Sequence, residues 1–215
     1  MVFNMRSADA ATVFRVLLVF FSIYLIILKI NPLLIVLLLA IAFMLDGIDG
    51  YLAVRDESKG KLSLKEYIMA ISGNVEARKK VKKIKEAISI SFPYGPRMDI
   101  AGDRAVEYSL WAIFVYLNVL PFFVILIVIF RHSFVDAIMG VKGTSNKMKT
   151  KFARVVYSSN IGRGGVNVVK VLTFSYLVFV YISGFPIIYG YILTTILLIY
   201  IILRGSAEIY EFAVK

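Results

Sequence analysis

The chain has 215 residues, 60% of them hydrophobic, and a mean hydropathy of +0.81. That is too apolar for a water-soluble domain, and the length suits one membrane domain without a sizeable soluble appendage. There is no cysteine, which excludes disulfides, thiol catalysis and thiolate metal sites, and the formal net charge is +11.

Six apolar stretches are predicted to span, over residues 13–28, 33–53, 99–120, 121–139, 166–183 and 186–203. Each is near the ~20 residues a spanning helix needs. The first residues lack a small-residue cleavage site, so no cleavable leader is expected. Three of the links are short and carry Pro, Gly or Asn, as in Lys29-Ile30-Asn31-Pro32 and Ser183-Gly184-Phe185-Pro186. Such residues punctuate helices, and short links imply antiparallel neighbours. The expected fold is an all-α integral membrane protein with six transmembrane helices in a bundle and a cytoplasm-facing polar cavity.

Of the 25 Lys and Arg, only Lys29 falls in a short turn. The rest lie at the ends, in two long loops or at adjoining helix ends. The positive-inside bias therefore puts both termini and both long loops in the cytoplasm. It also accounts for the charge without nucleic acid, since the basic loops lack interleaved aromatics for base stacking. The first long loop, residues 56–94, reads as two short amphipathic helices around Gly73-Asn74. Its run Lys79-Lys80-x-Lys82-Lys83-x-Lys85 is a solvated or lipid-facing face before it is a substrate site.

Acidic side chains at the ends of membrane helices are expensive and usually functional. Here they stand as Asp46-x-x-Asp49-Gly50-x-x-Ala53 and Gly95-x-x-x-Asp99-x-x-x-Asp103. Residues three and four apart share a helix face, so two helix ends can present two carboxylate pairs to one point. Four carboxylates that close repel unless cations intervene. Hard divalent ions with oxygen ligands, two of Mg²⁺ or Mn²⁺, suit them and could clamp a pyrophosphate. Glu107 lies one turn beyond Asp103, as an outer partner of such ions or as a buried, paired acid. His132, the only histidine, reads as a satisfied interfacial residue, and Trp111 as a packing or interface anchor.

The order of these residues resembles the signature of the CDP-alcohol phosphotransferase family, also called CDP-alcohol phosphatidyltransferases. The segment Asp9-x-x-Thr12-x-x-Arg15 is similar to a stretch near the N-terminus of many members. The resemblance covers roughly residues 9–107, with a looser similarity of helix layout beyond. It implies a single membrane domain over residues 1–215 that transfers the phosphate-linked alcohol of a CDP-alcohol to a hydroxyl of a small polar acceptor and releases CMP. It implies that Asp46, Asp49, Asp99 and Asp103 hold the metals and that Asp103 is also the base. Asp49, Gly50, Ala53 and Gly95, with Thr12 and Arg15, would form the CDP site. A homodimer is also implied. Two departures stand out: Val54 occupies a position where the family usually has Arg, and the insertion displaces Gly95 by about thirty residues.

Arg131, Arg154 and Arg163 are candidates for an anionic acceptor, since guanidinium suits bidentate phosphate or carboxylate contacts. Positive-inside topology explains each of them equally well. Gly162-Arg163-Gly164-Gly165 opens a predicted helix, where free amides favour phosphate. A phosphorylated polyol, glycerol phosphate or inositol phosphate, is thus favoured over serine. Two other classes compete. A membrane prenyltransferase also holds a diphosphate with two acidic clusters, but its motifs do not specify the paired glycines. A small cation transporter would spread its acids through the bilayer, whereas these gather at one face.

Overall fold

The computed structural model describes residues 6–58, 62–72, 74–91, 95–142 and 160–213. Eight α-helices run through them: α1 (Ser7–Ile27), α2 (Pro32–Glu57), α3 (Leu64–Ile71), α4 (Val75–Ser91), α5 (Gly95–Tyr116), α6 (Phe123–Lys142), α7 (Asn160–Ser183) and α8 (Ile187–Ala213). No strand occurs among the described residues. Within them, three helices are long and apolar enough to cross a bilayer: α1, α7 from Gly165 and α8 as far as Glu211. A fourth is α2, if its run Pro32–Asp56, bent by 40° between Ile48 and Gly50, counts as one span. Glycine at 47 and 50 is a usual cause of such a bend. The criterion reaches three or four spans rather than six. In α5 the reason is charge: Asp99, Asp103, Arg104 and Glu107 crowd its first half.

The chain divides into two compact units. The first comprises residues 1–22 and 37–106, and the second residues 23–36 and 107–215.

In the first unit, the insertion forms a helical hairpin with its own core. Ser63 caps α3 through a capping box: its hydroxyl accepts from the Glu66 amide, and the Glu66 carboxylate accepts from the Ser63 amide. The Asn74 carbonyl oxygen of the side chain accepts from the Ala77 amide and starts α4. Tyr67, Ala70, Val81 and Ile88 then bury against Val54 of α2 and Leu62. The start of α1 is tied to the end of α2, because the Ser7 amide and hydroxyl both donate to the Asp56 carboxylate. That contact satisfies an amide that a helix N-terminus leaves open, and it places a negative charge where the helix dipole favours one.

In the second unit, α8 packs on α7 and α6. Trp111 and Phe174 meet edge to face at 4.9 Å, with Phe114 stacked beyond, and all three are buried. The short turns after α1, α5 and α7 each contain a residue in the left-handed region: Lys29 (φ 52°), Asn118 (φ 57°) and Gly184 (φ 69°). Asn and Gly adopt that conformation readily, whereas Lys pays a steric penalty. At Lys29, backbone bonds from Lys29 to Ile26 and from Ile30 to Leu25 close the turn, and the ammonium lies 4.9 Å from the Tyr181 ring centroid. Asn31 then accepts from the Leu33 amide, and Pro32 opens α2 where no amide is needed. The spanning helices carry large exposed apolar side chains, such as Leu17, Phe20 and Tyr24 on α1 and Ile188, Ile192 and Ile199 on α8. In water these would form an improbable surface; against lipid they are in their own medium.

Candidate functional site

Three helices of the first unit build the site. α2 carries Asp46 and α5 carries Asp99 and Asp103, four residues apart and so on one face. One carboxylate oxygen from each of the three lies within 4.8 Å of the other two. α1 contributes the cation. The Arg15 guanidinium pairs through Nη1 with Asp46, donates from Nη2 to Asp103 at 2.9 Å, and approaches Asp99 at 3.9 Å. The arginine side chain is 3% exposed, whereas Asp46, Asp103 and Asp99 are 25%, 41% and 52% exposed. The carboxylates are thus partly exposed around a buried guanidinium. Its Nε is buried and makes no hydrogen bond among the described residues, so the Nη atoms alone hold it.

Gly102 makes this convergence possible. A Cβ at that position would stand 2.4 Å from Thr12 Cγ2 and 3.2 Å from Arg15 Nη2. Only glycine lets α1 lie close enough to α5 for Arg15 to reach between the acids. The sequence reading missed Gly102; its signal was a glycine beside Asp103 within a helix, a common mark of close helix contact in membranes.

Such an arrangement can attract a small cation. Three oxygens from separate carboxylates at this spacing suit a hard divalent ion. The guanidinium already present shows that positive charge is stabilised there.

The remaining candidates divide. Thr12 is buried, its hydroxyl donates to the Ala8 carbonyl at 3.2 Å, and its methyl lies against Gly102. Asp9 pairs with Arg6 at 2.8 Å. The Asp49 side chain lies outside the described residues. Gly50 faces the hairpin, because a Cβ there would lie 2.9 Å from the Tyr67 hydroxyl. Ala53 packs at the edge of the hairpin core. Gly95 is the first residue of α5, followed by Pro96, which is tolerated in a first turn. Val54 is fully buried in the hairpin core, so an arginine there would have no water and no room.

Charged residues of the second unit are engaged with each other. Glu107 is buried between Lys170, at 2.7 Å, and His132 Nε2, at 3.3 Å. It is therefore the buried, paired acid of the two readings. His132 is buried, 2% exposed, and has partners on both ring nitrogens. Arg131 donates from Nη1 to His132 Nδ1 at 2.7 Å, which leaves the imidazole proton on Nε2, toward Glu107. Arg131 also lies 3.5 Å from Glu208 and packs over Gly205, where a Cβ would meet it at 2.9 Å. Lys170, Glu208 and Gly205 were not anticipated from sequence, since no local pattern links them to Arg131 or Glu107. Arg154 lies outside the described residues, as does the side chain of Arg163 in the second turn of α7. Comparison of the chain with protein-family models, with curated proteins and with solved structures gave no match.

Proposed function

We propose that this protein is a membrane-embedded, divalent-metal-dependent CDP-alcohol phosphotransferase. It transfers a phosphate-linked lipid alcohol to a hydroxyl of a small polar acceptor and releases CMP. The observation that carries this reading is the convergence of Asp46, Asp99 and Asp103 on one point beside Arg15, in residues whose order resembles that family's signature.

The three carboxylates would hold Mg²⁺ or Mn²⁺, and the resemblance adds Asp49 and a second ion. Bound there, the ions would neutralise the pyrophosphate and the charge that develops on it. Asp103 accepts the proton of the acceptor hydroxyl as that oxygen bonds to the phosphorus bearing the lipid alcohol; the anhydride bond breaks and CMP leaves with its electron pair. Arg15, which pairs with the same acids, would contribute its guanidinium to the phosphates by the same resemblance. By resemblance, Gly95 and Thr12 would complete the CDP site, with Gly50 and Ala53 at the edge of α2 that meets the hairpin. Arg154 and Arg163 remain the acceptor candidates, since Arg131 is engaged by His132 and Glu208, and the glycine-flanked Arg163 favours glycerol phosphate or inositol phosphate. The six apolar helices α1, α2, α5, α6, α7 and α8 serve as the spans, with both termini and the polar cavity on the cytoplasmic side and a homodimer as the assembly.

The test is CMP release by the purified full chain in detergent with Mn²⁺ or Mg²⁺. A CDP-lipid is supplied with glycerol phosphate, inositol phosphate, serine or no acceptor in separate reactions. Release that depends on a phosphorylated polyol is the expected result. No release with any acceptor, together with no binding of CDP-lipid, overturns the reading in favour of a prenyltransferase or a cation transporter.

A further inference from the structure

The hairpin of α3 and α4 has two faces, and its core uses only one of them. On α3, Tyr67 and Ala70 point into the core with Val54. Leu64, Ile68 and Ile71 form a second stripe at helical spacing, and each is more than half exposed, as is Val75 at the start of α4. On α4, Val81, Ile84 and Ile88 turn inward, while Lys79, Lys82 and Lys83 are exposed on the other side. Between Leu62 and Ser91 the chain holds seven basic residues against three acidic ones. Lys80 is committed to Glu66 at 2.9 Å and holds the two helices together.

Position decides what this face meets. The hairpin core is built on Val54, with Tyr51 and Ala53 beside it, in the last turns of α2, whose apolar run Pro32–Ile48 leads into the bent segment Gly50–Asp56. An element packed on the last turns of a spanning helix sits at the boundary between lipid and water. There an apolar stripe next to lysines has a natural counterpart in acyl chains below and anionic head groups above. A soluble protein partner would not require the stripe to begin at the membrane boundary.

We propose that the α3–α4 hairpin is a lipid-docking element whose Leu64–Ile68–Ile71 stripe enters the surface of the membrane that the chain spans, held there by anionic head groups on the α4 lysines. This does not depend on the reaction assigned above.

The absence of native cysteine makes the test clean. Single variants Ile68→Cys, on the stripe, and Met69→Cys, about 100° away around α3, carry a fluorophore in the full chain in nanodiscs. With anionic lipid, brominated acyl chains should quench the label at 68 and aqueous iodide the label at 69. In the Ile68→Cys background, Lys79→Gln and Lys83→Gln should each lower the docked-to-undocked ratio about fivefold, as should high salt or a wholly zwitterionic disc in larger measure. Equal iodide access at 68 and 69 in anionic discs overturns the proposal. So does protection of residue 68 that follows protein concentration in detergent rather than lipid charge, which would assign the stripe to a second copy.

Discussion

In the first unit, Asp46, Asp99 and Asp103 lie beside one another, a quarter to a half exposed, around one guanidinium. In the second, Glu107 and Glu208 are each 3% exposed, and each has a basic side chain of its own beside it, Lys170 and Arg131. Both groups tie helices together, yet they answer different electrostatic problems. A carboxylate removed from water needs a dedicated partner, and once it has one its charge is spent. Carboxylates kept near water and close to each other retain a mutual repulsion that only a cation relieves. The first arrangement can exchange its cation; the second cannot without leaving a buried charge. That difference separates a candidate site from a fastening, and sequence alone places Asp103 and Glu107 one turn apart on the same helix.

Exchanging single residues should pull the two clusters apart. The largest expected effect is on Asp103→Asn. CMP release should fall more than about tenfold while the helical content and unfolding temperature in detergent stay close to those of the parent. Retention of most of the rate would remove Asp103 as the base. Next, Glu107→Ala should destabilise the protein by about 3–5 kcal/mol, because it leaves the Lys170 ammonium largely buried without its carboxylate. The double variant Glu107→Leu/Lys170→Met should recover part of the loss, as read from detergent unfolding curves. If Glu107→Ala instead changed only the metal titration, Glu107 would belong with the candidate site.

A smaller and more diagnostic pair concerns the cation. Asp46→Ala should weaken Mn²⁺ binding, and Arg15→Ala should strengthen it by about tenfold, since a competing positive charge is removed. Calorimetric titration of both variants checks the opposite signs; shifts in the same direction would mean that Arg15 and the ion do not share the space. Gly102→Ala should cost about 1–3 kcal/mol and loosen Arg15 from the acids, because the new methyl meets Thr12.

The smallest effect lies in the hairpin. The Ser63 amide, and then Lys80, hold the Glu66 carboxyl below its ordinary range. A lowered folded-state value means that the contribution is fully present above the unfolded value and is lost as pH falls through the folded one. Amide exchange in α3 should therefore quicken only at pH below the ordinary carboxylate range. The Arg15 pairing is unrelated to Glu66, so loss of α3 protection at neutral pH would point to a different anchor.

Much of the helix layout was legible in the residues. Pro32, Asn118 and Gly184 mark the short turns, and the gap between α3 and α4 falls at Ser72–Asn74, around the Gly-Asn pair. Local chemistry decides such points: a missing amide, a tolerated positive φ, a side-chain cap. Lys29 in the left-handed region could not be foreseen, because its own preference argues against it and contacts with Tyr181 and the flanking helices override that preference. The number of spans was less legible, since apolar length alone does not say how charges in α5 are accommodated.

By itself, the sequence determined an apolar, cysteine-free, helical chain whose acids recur at three- and four-residue spacing. Helical periodicity and hydration are local or additive, so one chain's residues suffice to state them. Tertiary structure alone decided that Arg15 sits among Asp46, Asp99 and Asp103, that Gly102 makes the space for it, and that Val54 and Gly50 face the hairpin. It also decided that Glu107 answers to Lys170 and His132 rather than to the acids one turn away. Those pairings join residues up to 88 positions apart. Which partner a charge meets depends on how the helices pack, and that is settled by shape and burial rather than by the spacing of residues along any one of them.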